Sequence, residues 1–173
     1  MSKAIFNYII LYIIIILTQV IICNNICLFN IATPIIFIYL IIRLPLTLNI
    51  NIVLTISFFT GLLIDIFSNT QGMHALSCTI IAFIRKPILR LYVPRDEDIT
   101  DGIVSIKTIG SNQYFKYLIT IILLYCTIVF IIESCSFFNL LRLITQIITN
   151  TILSFVIIIG IDRIANKKRE KRL

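Results

Sequence analysis

Charge is scarce in this sequence. Asp, Glu, Lys and Arg make up 13% of its 173 residues, against 59% hydrophobic. Ordinary soluble domains carry about 25% charge and are near half apolar, so a soluble domain could not hide this much apolar surface. Mean hydropathy is +1.04, and several apolar runs approach the roughly 20 residues needed to cross about 30 Å of hydrocarbon. A polytopic membrane protein is expected. Histidine occurs once, as His74, and one histidine leaves Cys23-x3-Cys27 without the further ligands of a zinc site. The five cysteines (Cys23, Cys27, Cys78, Cys126, Cys135) therefore read as small hydrophobes. A Cys23–Cys27 disulfide across a short turn is the alternative. Also missing are G-x-S-x-G, a phosphate-binding loop, H-E-x-x-H and a pair of intramembrane carboxylates with a matching base. No catalytic residue, metal or cofactor is expected, and an intramembrane enzyme is the weakest class.

Net charge is nevertheless +7. The basic residues fall between and after the apolar runs without an aromatic–basic groove pattern, so they point to membrane topology and away from nucleic acid. Six spans are expected, at about 4–23, 26–42, 48–67, 73–91, 114–133 and 140–161, in one integral membrane domain covering 1–173. Lys3 ahead of the first run imitates a signal peptide. No small-x-small cleavage site follows, so the run is kept as a helix. Thr33-Pro34 should bend the second span. Residues 92–113 form the one sizeable polar loop, carrying Asp96, Glu97, Asp98 and Asp101, with room for a short interfacial helix. Residues 162–173 form a basic tail. With these spans, all but one of the 15 lysines and arginines lie on one side, the exception being Arg142. The positive-inside rule then places both termini in the cytoplasm of a multi-pass protein.

Several residues are candidates for more than spanning. Asp65, near the end of the third span, is costly inside a membrane. It reads either as a polar contact to a partner or an outward cavity, or as a local cap or pair with His74 or Arg142. His74 suits a structural role near the turn. Gly61 suits close helix packing, and Gly72 suits a turn with positive φ. Thr55, Ser57 and Thr60 supply further small packing groups. Tyr8 and Tyr12 share a face that packs on a neighbouring helix. Gln146, Asn150 and Ser154 recur every four residues and form one polar stripe, which reads first as interhelical hydrogen bonding and second as a solute path. Arg85 and Lys86 should snorkel to the membrane surface. Lys167, Lys168, Arg169, Lys171 and Arg172 should attract anionic lipid at ~1 kcal/mol each.

The stretch from Phe58 to Arg90 orders these features as G-L-L-x-D-x-x-S, then G-M-H-A-L, then the basic pair Arg85-Lys86 and Pro87. That order resembles the rod shape-determining protein MreD family of bacterial inner-membrane subunits. The resemblance rests on Gly61 to Pro87. It implies an all-α, six-transmembrane-helix bundle similar to the substrate-binding subunits of energy-coupling-factor transporters. It also implies a non-enzymatic scaffold that binds MreC and so links MreB to RodA and its penicillin-binding transpeptidase partner in peptidoglycan synthesis. Gly61, Asp65, Gly72 and His74 carry over as motif and partner-contact positions, with no catalytic role. The alternative is a solute-binding transporter subunit on the same fold. Those subunits present small-x-x-x-small faces, whereas the alanines here (Ala4, Ala32, Ala75, Ala82, Ala165) never fall four apart.

Overall fold

The computed structural model describes residues 2–23, 33–93, 104, 106–133 and 140–170. The Asn24-Asn25 turn, Cys27, the acidic cluster at 96–101, the turn at 134–139 with Cys135, and Lys171 and Arg172 lie outside the described residues. So do the side chains of Tyr8, Cys23, Arg142, Lys167, Lys168 and Arg169.

Among the described residues the chain is entirely helical. The elements are α1 (Ser2–Thr18, continued by a π-helical turn Gln19–Cys23), α2 (Ile38–Arg43), α3 (Ile50–Ser68), α4 (Met73–Tyr92), α5 (Ile106–Ile109), α6 (Ser111–Glu133) and α7 (Leu140–Glu170). Ile50–Ser68, Ser111–Glu133 and Leu143–Arg163 are long and apolar enough to cross a membrane, which marks the chain as a membrane protein. α4 is of similar length, but Arg85, Lys86 and Arg90 interrupt its apolar character.

The most extensive packing joins α3 to α4. α4 and α7 in turn lie against α6, and α2 lies against α4. The reason begins at Gly61. A Cβ built there would stand 2.5 Å from the Ala75 Cα and 2.5 Å from the His74 carbonyl oxygen, so the two backbones touch where only glycine fits. Ser57 and Thr60 are buried on the same side of α3, whereas Thr55 is exposed. Tyr12 binds the Thr60 hydroxyl at 2.5 Å, which fastens α1 to α3. Close approach of small residues is how helices associate where lipid is as apolar as the side chains.

Three expectations change. The span foreseen at 26–42 is helical, among the described residues, only from Ile38 to Arg43, and residues 33–36 run without helix before it. Proline at 34 has no N–H to donate and disfavours α-geometry in the residue before it. Residues 33–36 are therefore without helix, where a bend within a helix was foreseen. The polar stretch 92–113 is narrower than foreseen: α4 continues to Tyr92, α5 forms one helical turn, and α6 begins at Ser111. Finally, the helix foreseen to end near 161 continues unbroken as α7 through the basic residues to Glu170.

Replacing Gly61 by Ala should destabilise the protein by about 1–3 kcal/mol, the usual cost of overpacking. Both neighbouring atoms are backbone and cannot swing aside. Thermal unfolding in detergent measures this. A midpoint unchanged from wild type would show that α3 and α4 can separate at no cost.

Candidate functional site

The motif residues converge on the turn between α3 and α4. Asn69 and Gly72 both take left-handed conformations, with φ of 54° and 77°. Two such residues close together reverse the chain in four residues, and glycine adopts this geometry without a Cβ penalty. The Asp65 carbonyl oxygen accepts the Thr70 N–H at 3.0 Å and the Asn69 N–H, which ends α3.

α4 then starts with orphan N–H groups and without a cap from its own N-cap side chain. Asp65 supplies the cap from the preceding helix. Its Oδ2 accepts the Ala75 N–H at 2.8 Å, and its Oδ1 accepts the His74 N–H at 3.1 Å and the Thr70 hydroxyl at 2.5 Å. The carboxylate is buried, at 4% exposure. A negative charge at a helix N-terminus is favourable, and three hydrogen bonds replace the water it has lost. Of the readings open for Asp65, the geometry gives the local cap, formed with the backbone and not the imidazole of His74. That imidazole points elsewhere: its Nδ1 lies 2.6 Å from the Tyr125 hydroxyl on α6, and Phe37 meets both rings edge-on.

Residues 33–37 show what the polar stripe does. The Thr33 N–H donates to Asn150 Oδ1 at 2.8 Å, and the Ile35 N–H donates to Ser154 Oγ at 2.9 Å. Gln19, at the start of the π-turn, completes the set: its Oε1 accepts the Ile36 N–H at 2.8 Å and its Nε2 donates to the Pro34 carbonyl at 3.0 Å. Side chains from α1 and α7 thus stand in for the helix hydrogen bonds this segment forgoes. Ile35, Ile36 and Phe37 are all buried, and a buried backbone without these partners would be costly. The stripe bonds between elements, as expected, but to backbone. Gln19 was missed, although it is the one amide between Tyr8 and Cys23.

A cavity of about 430 Å³ borders this segment and the α3–α4 turn. Gln19, Thr33, Phe37, Thr70, His74 and Glu133 are among its walls.

At the opposite ends of α2 and α4 the charges are also used internally. Arg85, expected to snorkel, is instead 1% exposed. It donates to the carbonyl oxygens of Ile41 (2.7 Å), Leu44 (2.9 Å) and Pro45 (3.2 Å). These carbonyls stand at and just beyond the carboxyl end of α2, where a cation is favoured, although the Arg85 Nε has no hydrogen-bond partner among the described residues. Lys86 reaches the Leu48 carbonyl at 3.4 Å and is only partly buried. Arg43 lies 3.6 Å from Asp162 of α7 and also donates to the Tyr39 hydroxyl, which itself donates to Asp162 at 2.8 Å. This cluster too was missed, because Arg43 and Asp162 each read as an ordinary span end. Cys78 and Cys126 are buried free thiols, and among the described residues no three His, Cys, Asp or Glu side chains group to hold a metal.

Asp65→Ala should lower stability by about 2 kcal/mol or more, since a charged cap and a buried acceptor vanish together. Asn150→Leu should cost about 1–3 kcal/mol by stranding the Thr33 N–H. Denaturant unfolding in detergent measures both. Changes within 0.5 kcal/mol would mean that water replaces these acceptors freely.

Compared with known proteins, the chain matches no family model, no curated protein and no solved structure.

Proposed function

We propose that this chain is a non-enzymatic scaffold of the bacterial cell-wall elongation machinery, resembling the MreD family and binding an MreC-like partner in the inner membrane. The observation that carries the reading is local. Gly61, Asp65, Gly72 and His74, which carry the resemblance, are the residues that build the α3–α4 hairpin. The spacing thus supplies the close contact, the cap and the turn of one hairpin. In this reading the six apolar segments form a bundle like that of energy-coupling-factor substrate-binding subunits. The basic ends face the cytoplasm and the hairpin turn faces outward. Through MreC the protein supports MreB, RodA and the penicillin-binding transpeptidase.

Because the Asp65 carboxylate is consumed inside the hairpin, its role toward the partner is to hold the turn, whose Asn69 and Gln71 are exposed. The second reading, a solute-binding transporter subunit, draws support from the cavity beside non-helical backbone, an arrangement that transporters use for binding. The absence of alanines four apart weighs against it.

Co-purification from detergent decides between them. Wild type should retain an MreC-like protein encoded beside it. Asp65→Asn, normalised to monodisperse protein, should lose about tenfold or more of that affinity, equivalent to ~1.4 kcal/mol. No retention by wild type would end the scaffold reading. Normal retention by Asp65→Asn with loss of a bound solute would put the transporter in its place.

Topology is tested separately. A reporter active only outside the membrane should signal when fused after Asn69 and stay silent after Gly102 or Leu173. Signal at Gly102 would reverse the orientation. Replacing Lys167, Lys168, Arg169, Lys171 and Arg172 by Gln should weaken binding to anionic vesicles in a salt-sensitive way while sparing partner capture. Loss of partner with lipid binding intact would make this segment a docking peptide.

A further inference from the structure

Non-helical backbone inside a membrane bundle is tolerated where it is buried or lines a cavity. Here it does both. Residues 33–37 are held by Gln19, Asn150 and Ser154, yet Thr33, Ile35 and Phe37 also form part of the wall of the 430 Å³ cavity. That volume lies within the usual range for small-molecule sites. The Gly61 contact and the Asp65 cap fix the turn that forms another wall, so much of the cavity is preformed.

The chemistry of the walls selects the ligand class. Their one formal charge at neutral pH is negative: Glu133, at the end of α6, is exposed and has no ion-pair partner among the described residues. A carboxylate at the carboxyl end of a helix is disfavoured by the helix dipole, which leaves it in want of a cation. Among the described residues no lysine or arginine lines the cavity, so an anionic ligand would find no counter-charge from them. A metal ion would lack ligands, since no third donor of its kind stands with Glu133 and His74 among the described residues. The rest of the wall mixes polar groups of Gln19, Thr33, Ser68, Thr70 and His74, to which an ammonium can donate, with apolar and aromatic side chains that include Phe37, Phe67 and Phe130. Aromatic faces attract organic cations in addition to shielding an apolar body.

We propose that the cavity between residues 33–37, the α3–α4 turn and the end of α6 binds a primary ammonium group carried on a small apolar body, with Glu133 as its counter-ion. The site stands independently of the scaffold reading, since either a scaffold or a transporter subunit could hold such a ligand. The ammonium can belong to a water-soluble amine or to the headgroup of phosphatidylethanolamine, and the test separates the two.

The probe is 2-phenylethylammonium, titrated calorimetrically into the full chain in detergent, with neutral 2-phenylethanol as a match for its apolar body. Wild type should give saturable heat with the ammonium, and the alcohol should bind at least tenfold more weakly. Glu133→Gln keeps the size of an exposed side chain, so it should fold as wild type does and lose at least tenfold in affinity for the ammonium. Met73→Trp, which narrows the cavity without touching the charge, should weaken both probes alike. The lipid arm repeats the titration in nanodiscs of phosphatidylcholine with and without phosphatidylethanolamine. A weaker apparent affinity in the nanodiscs that contain phosphatidylethanolamine identifies the headgroup as the resident ammonium, and an equal affinity in both identifies a soluble amine. Either result leaves the site standing. No saturable heat from wild type, or equal binding by Glu133→Gln, or equal binding of the alcohol, would overturn the proposal.

Discussion

Every backbone N–H and C=O that leaves a helix and is buried away from water must find a partner from the protein itself. Much of this structure follows from meeting that demand at two interruptions. The first is the non-helical segment before α2, whose amides bond to Gln19, Asn150 and Ser154. The second is the α3–α4 turn, where Asp65 receives the amides that α4 cannot satisfy internally. Each repair comes from a different element, so local backbone defects become ties between helices. α1 and α7 are joined through residues 33–36, though they are far apart in sequence.

The buried charges obey the same logic. Asp65 sits at the amino end of α4, and Arg85 sits among the carbonyls at the carboxyl end of α2. Each matches the sign of the helix end it meets. The Arg43–Asp162 pair joins α2 to α7 and is hydrogen-bonded through Tyr39. A buried pair of this kind adds little net stability over an apolar pair, but removing one member strands the other. Its value here is in fixing register between elements. A consequence for recognition follows. Charges already spent inside are not available to a partner, whereas Asn69, Gln71 and Glu133 near the hairpin are exposed.

The contrast between hairpin and cavity matters for function. On one side of the α3–α4 turn, backbones touch at Gly61 and leave no space. On the other, residues 33–37, the turn and the end of α6 border an open cavity of about 430 Å³. A rigid turn beside a preformed cavity is suited either to presenting a fixed surface or to holding a small molecule without rearrangement, because the cost of ordering is met in folding.

Composition and run length by themselves determined that this is an all-helical membrane chain, since apolar surface of that extent has no other place to go. Gly61 and Gly72 were also legible, because a close contact and a positive φ are needs that glycine meets locally. The four-residue spacing of Gln146, Asn150 and Ser154 placed them on one face, and the pattern foretold hydrogen bonding but not the acceptor's use. Only the tertiary structure decided that residues 33–37 abandon the helix, that Arg85 turns inward, and that Arg43 meets Asp162. The physical reason is the same in all three cases. A proline or a charge at a span end has several local solutions of similar free energy, and the choice among them depends on partners 44 to 123 residues away in the chain.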